Sequence, residues 1–170
     1  MIRQAVNNDL YQIMEIYNDA TLNTTAVYTY KAQTIEERKL WFQNKQKDNF
    51  PVLVFEEKDR VIGFATFGPF RAWPAYKYTI EHSVYVHENY RNHGIGTALV
   101  KMIIKLANDR GFATLVAGID AFNESSIKMH QKLGFQYSGT IKRAGFKFGK
   151  WLDLVFYQLD LSGPKNPIDG

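Results

Sequence analysis

Between Tyr76 and Arg110 the chain reads as a strand, a turn holding two glycines and an amphipathic helix, and this unit limits the available folds more than any other stretch. Tyr76 to Val86 is rich in β-formers. From Gly94 onward, Ile95, Leu99, Met102, Ile103, Leu106 and Ala107 recur at helical spacing on one face, and Gly111 supplies a stop. The helix is entered through Arg91-Asn92-His93-Gly94-Ile95-Gly96. A helix N-terminus leaves amide N–H groups unpaired and carries partial positive charge. Glycines let an anion approach that backbone with no Cβ in the way, and an arginine adds a charged donor. The segment therefore reads as an anion site ahead of the alternative, a plain glycine-containing helix start. It is not a dinucleotide fingerprint, because the third glycine position is Leu99; nor is it a P-loop, because Thr97-Ala98 follows Gly96.

The rest of the chain surrounds this unit with alternating signals. Ile2 to Val6 reads as a short strand and Asn7-Asn8-Asp9 as a turn giving an N-cap. Leu10, Ile13, Met14, Ile16 and Tyr17 then follow at helical spacing. Thr34-Ile35-Glu36-Glu37 is a capping box, predicting a helix to about Lys47 with Leu40 and Trp41 among its apolar contacts. Strands are expected over 51–55, 61–67, 76–86, 113–119, 135–141 and 150–160, with a short helix from Ser125 to Leu133 ended by Gly134. The expectation is one α/β domain of the α+β type over residues 1–161, with a mixed central sheet flanked by helices. A flexible tail over 162–170 follows from its Gly, Pro and Asn content.

Composition narrows the function. A chain of 170 residues, 45% hydrophobic, is long enough to bury a core. No window approaches the roughly 18 apolar residues that a spanning helix needs, and the N-terminus lacks an apolar signal core, so a cytoplasmic protein off the membrane is expected. With zero cysteines there is no thiolate nucleophile and no Cys-based zinc site. His82, His87 and His93 do not form a metal set: alternation puts His82 and Glu81 on opposite faces, and no His-x-x-x-His pair exists. The net charge of +4 is spread among acidic residues rather than gathered in a stripe, which argues against nucleic acid and suits a small anionic cofactor.

The Arg91–Gly96 segment resembles the Q/R-x-x-G-x-G/A motif of the GCN5-related N-acetyltransferase (GNAT) superfamily. Ser83-Val84-Tyr85-Val86 looks like that family's central bulged strand, and Asn123 through Phe135, ending in Leu-Gly-Phe, is similar to its second motif. The closer resemblance is to the phosphinothricin and methionine sulfoximine acetyltransferase branch. It is carried by Thr79 to Val86, the histidine-bearing second motif and Gly145 to Asp153, although Phe148 stands where that branch often has histidine.

The resemblance implies acetyl-CoA as co-substrate and no metal. It places the pyrophosphate on Arg91, Asn92, His93, Gly94, Ile95, Gly96 and Thr97, and the pantetheine and thioester on the amides of Val84, Tyr85 and Val86. Asn123 and Ser125 are cofactor contacts or helix caps. Glu81 is the leading general base, or the group that positions the ammonium; His130 occupies the position of the family's tyrosine acid. Tyr28, Arg71, Trp73 and Tyr76 are substrate candidates, because an arginine fork pairs with a carboxylate and aromatic walls hold an apolar side chain. Trp151 and Asp153 are further candidates for the same pocket. The expected reaction acetylates the α-amine of a small amino acid or analogue by direct attack in a ternary complex, in a homodimer. A protein or peptide N-terminal acetyltransferase and a non-catalytic acyl-CoA-binding module are the alternatives.

Overall fold

The computed structural model describes residues 1–170. Its strands are β1 (Ile2–Gln4), β2 (Val52–Glu57), β3 (Arg60–Pro69), β4 (Thr79–Val86), β5 (Thr114–Asp120), β6 (Gln136–Lys147) and β7 (Lys150–Asp160). The helices are α1 (Leu10–Asn23), α2 (Ile35–Lys47), α3 (Ile95–Asp109) and α4 (Glu124–Lys132). The seven strands form a sheet in the order β1-β2-β3-β4-β5-β7-β6. Pairing is antiparallel in β1–β2, β2–β3, β5–β7 and β6–β7, and parallel in β4–β5, so the expected mixed sheet is present.

The chain divides into two compact units, residues 1–67 with 83–100 and residues 68–82 with 101–170. In the first, Leu10, Ile13 and Ile16 of α1 pack with Phe42 of α2, Val52 and Val54 of β2, and Val61 and Phe64 of β3. Full burial of each large side chain stabilises by about 1.5–3 kcal/mol. The Thr34 hydroxyl accepts from the Glu37 amide at 3.2 Å and the Glu37 carboxylate accepts from the Thr34 amide at 2.8 Å, the reciprocal capping box expected at α2. Gly63 on β3 lets the backbone approach closely: a Cβ there would sit 3.1 Å from Ile95 Cγ2, 3.1 Å from the Tyr85 carbonyl and 3.2 Å from Leu99 Cδ1. This contact seats the start of α3 against β3.

The second unit buries Ile80, Leu115, Ala117, Ile119, Leu152, Val155 and Tyr157 along β4, β5 and β7, with Ile103 and Ala107 of α3. The parallel ladder pairs Thr79 with Thr114, Ile80 with Leu115 and Glu81 with Val116. Past β7, the Ser162 amide donates to Asn108 Oδ1 at 3.0 Å and the Ile168 amide to the Tyr78 hydroxyl at 3.2 Å.

Four local expectations change. Leu40 is exposed; α2 instead buries Arg38 and Phe42, with Ile35, Trp41 and Lys45 half-buried, so the turn-by-turn stripe passes beside Leu40. The Arg38 guanidinium lies over the Tyr17 and Trp41 rings, 4.3 and 4.5 Å from their centroids, a cation–π sandwich that polarity alone would not place inside. Asp9 does not cap α1 with its side chain; its carboxylate takes the Arg3 guanidinium at 2.7 and 2.9 Å and the Val6 amide at 2.8 Å. A charge-assisted pair outcompetes a neutral cap bond. Residues 74–76 form a 3-10 turn, since Pro74 withholds a ladder donor, and β4 begins at Thr79. Finally, β6 runs on to Lys147 through a register break between Ile141 and Gly145, where Arg143 takes a positive φ of 52°.

Candidate active site

The first unit holds the anion-binding turn. Gly94 has φ of +80°, a conformation that a side chain would strain, and nothing lies within 4 Å of where its Cβ would stand. Its carbonyl accepts the Ala98 amide at 3.0 Å, which opens α3 and leaves the amides of Ile95, Gly96 and Thr97 without an intrahelical acceptor. Asn92 also takes a positive φ, 65°, and His93 Nδ1–H donates to the Arg91 carbonyl at 2.8 Å. Arg91 is engaged: Nη2 pairs with Asp19 Oδ2 at 2.7 Å and Nε donates to the Val86 carbonyl at 3.3 Å. Sequence gave no signal for Asp19 in this role, because α1 is remote in the chain.

Tyr85, a half-buried residue of β4, puts its ring against Tyr17 and Phe64, with centroids at 5.5 and 5.1 Å. Its side chain is a packing group. Val84 and Val86, its neighbours on β4, are likewise half-buried. Tyr28 sits half-buried between α1 and α2.

The second unit holds the titratable groups. Glu81 is half-buried at the last pair of the parallel ladder, and no hydrogen bond or cation restrains its carboxylate. Burial pushes that carboxyl above the ordinary glutamate range. Oε1 points at Gly118 on β5, where an added Cβ would stand 2.9 Å away.

His82 and His130 face each other through their Nε2 atoms, 3.0 Å apart, both nearly closed to solvent at 6% and 2% exposure. His130 Nδ1–H donates to the Ser126 carbonyl at 2.7 Å, with the Ser126 hydroxyl 3.3 Å from the same nitrogen. That leaves His130 Nε2 as the acceptor of His82 Nε2–H, so both nitrogens of His130 are occupied. Phe135 packs on both rings, at 5.5 and 5.0 Å. Burial, and then the neighbouring His130, push His82 down to about 3; the Val116 backbone opposes this, yet no partner meets hydrogen-bond geometry at His82 Nδ1. Burial lowers His130 as well, against the pull of the Ser126 carbonyl. Alternation had placed His82 opposite Glu81, and this is the inward face.

Asn123 is the N-cap of α4, its Oδ1 accepting the Ser126 amide at 3.2 Å, and Ser125 is exposed in the first turn. Phe70 lies edge-on to Tyr76 at 5.9 Å and to Phe156 of β7 at 6.4 Å, with the Arg71 guanidinium 5.5 Å over its ring. Arg71 and Tyr76 are thus gathered on one aromatic cluster with Phe70, which also brings in Phe156, a residue the sequence did not single out. Trp73 stands apart, 73% exposed. Trp151 meets Phe146 edge-on at 5.1 Å, and Asp153 accepts the Arg143 amide at 2.8 Å, both within the β6–β7 hairpin.

The second unit thus holds a half-buried unrestrained carboxylate and an arginine beside an aromatic cluster, and the first holds a helix N-terminus with amides free to meet an anion. Comparison with known proteins identifies the family. A family profile described as an acetyltransferase (GNAT) domain matches residues 2–156. An L-amino acid N-acyltransferase of Escherichia coli K12 is 40% identical over 98% of this chain and 96% of its own length. An L-methionine sulfoximine/L-methionine sulfone acetyltransferase of Salmonella typhimurium LT2 is 41% identical over 94% of both chains. The structure of a phosphinothricin acetyltransferase from Sinorhizobium meliloti, in complex with acetyl-CoA, superposes with a TM-score of 0.94 at 36% identity, covering 98% of this chain and 91% of that one. This chain belongs to the GNAT acetyltransferase family.

Proposed function

We propose that the protein transfers acetyl from acetyl-CoA to the α-amine of a small L-amino acid or analogue of the methionine sulfoximine, methionine sulfone or phosphinothricin type, by direct attack in a ternary complex. The observation that carries this reading is Glu81: a half-buried carboxylate with no partner of its own, beside a glycine that leaves room in front of it. The names of the relatives support the class of acceptor.

Acetyl-CoA, when bound, supplies an activated thioester. The amides opening α3 at Ile95, Gly96 and Thr97 suit its pyrophosphate, and Arg91 adds charge once it exchanges Asp19 for a phosphate oxygen. Val84, Tyr85 and Val86 offer backbone amides to the carbonyl oxygen, where negative charge develops as the amine attacks. An α-ammonium must first lose a proton, and its reference pKa of about 7.7–8.0 in peptides keeps most of it protonated near neutrality. Glu81 takes that proton, directly or through water; its raised pKa brings it nearer the operating pH, where a base works best. The nitrogen–carbon bond forms and the carbon–sulfur bond breaks; the nitrogen gives up its second proton to the departing thiolate or to water, and the thiolate leaves readily because thiols have a pKa of about 8.5. Arg71 pairs with the acceptor carboxylate while Phe70 and Tyr76 line its side chain.

The protein works as a homodimer in this reading. The exposed Tyr137, Ile141, Phe146, Phe148 and Trp151 of the β6–β7 hairpin supply an apolar face for a second copy. Its place is the cytoplasm, where acetyl-CoA and free amino acids meet. Glu81→Gln tests the mechanism: turnover on the amino acid should fall about 100-fold or more with acetyl-CoA affinity unchanged. Wild-type turnover across the pH range would remove Glu81 as the base.

A further inference from the structure

Gly118 lies on β5 directly opposite Phe156 of β7, so a side chain at 118 would project on the same face as Phe156 and, two residues along, Leu154. A Cβ built there meets three groups: Glu81 Oε1 at 2.9 Å, Phe156 Cε1 at 3.5 Å and Leu154 Cδ1 at 3.6 Å. The last two are ordinary contacts. The first is shorter than real Cβ atoms show, and it falls on the tip of a flexible side chain that no hydrogen bond holds. The backbone at 118 is not in the left-handed region, so alanine fits its conformation. A methyl group at this position is therefore accommodated by rotation of the Glu81 carboxylate rather than by movement of the strands. Phe156 continues through Phe70 to the Arg71 guanidinium, which makes the gap one end of an aromatic wall.

We propose that Gly118 is a positioning residue for acetyl transfer: its missing side chain holds open the space in which the Glu81 carboxylate and the acceptor's ammonium group meet, and Phe156 and Leu154 bound that space so that it admits a primary amine on a slender carbon chain. This rests on the reading of Glu81 given above. It adds a residue that touches neither the reacting atoms nor the cofactor-binding turn, and it assigns acceptor size selection to β5 and β7.

The test is a double-mutant cycle between Gly118→Ala and Glu81→Gln, read as steady-state acetylation of L-methionine sulfone. Gly118→Ala should lower kcat about tenfold or more while leaving acetyl-CoA affinity and Tm at the wild-type values, and in the Glu81→Gln background it should change the rate by less than about twofold. The acid limb of the pH profile should move toward the ordinary glutamate range in Gly118→Ala, because the displaced carboxylate turns to water. Wild-type turnover in Gly118→Ala, or an equal loss in both backgrounds, overturns the inference. So does a lowered Tm or weakened acetyl-CoA binding, which would make Gly118 structural. If Glu81→Gln is inactive and Gly118→Ala fully active, only this inference falls. If wild-type protein acetylates no amine, the functional reading falls and takes the inference with it.

Discussion

The buried histidine pair makes stability depend on pH in a way that can be worked out in advance. A histidine in the unfolded chain titrates near its reference value of 6.5, whereas burial holds His82 neutral in the folded protein down to about 3. Below the unfolded value, unfolding takes up a proton that the native state refuses. The native advantage from His82 is thus complete above about 6.5 and is lost progressively as pH falls toward about 3. Each pH unit in that window is worth about 1.4 kcal/mol, so lowering the pH to about 5 removes about 2 kcal/mol through His82 alone. Burial shifts His130 in the same direction. His82→Gln isolates the effect, since its amide can still donate toward His130 Nε2 but does not titrate. Urea unfolding at about pH 7.5 and about pH 5 should show a loss about 2 kcal/mol larger in wild type than in the variant, whatever the variant's absolute stability. Equal losses would refute the reasoning. So would an NMR titration placing the His82 ring midpoint near its unfolded value.

Other outcomes follow from single contacts. Arg91→Gln removes the charge at the α3 turn and should weaken acetyl-CoA binding by about 1.5–3 kcal/mol, measured by calorimetry, with Tm little changed because its partner Asp19 is surface-accessible. Thr34→Ala breaks the capping box and should cost about 1 kcal/mol in chemical denaturation. Glu81 also carries a stability sign: a carboxyl raised by burial destabilises the native state as pH climbs past the ordinary glutamate value. Glu81→Gln should therefore be at least as stable as wild type at neutral pH while less active, and thermal melts across pH would show it.

Periodicity carried most of the architecture. The α3 stripe and the β5 and β7 runs fall within a residue of their expected bounds, because each buries an apolar face with the matching period. Departures came where one side chain overrode the pattern. Asp9 went to Arg3 instead of the helix end, and Arg38 entered the core by stacking on aromatics. At the candidate site, the Gly94 turn was legible because helix-entry chemistry is local, whereas Glu81 came forward through the family resemblance, since its strand pattern alone reads as a solvent-facing glutamate. Gly118, Phe156 and the His82–His130 contact were not, since strand pairing and helix packing join segments far apart in the chain. Arg91 was legible as a donor, but its present partner, Asp19, was not.

The most direct test of the account is acetylation of a defined amine. Purified protein with acetyl-CoA should release CoA thiol with L-methionine sulfone or sulfoximine, and mass spectrometry should find one acetyl group on the α-nitrogen, with no release from the same compound already blocked there. Thiol release that ignores the α-amine, or that appears only with peptide N-termini, would contradict it.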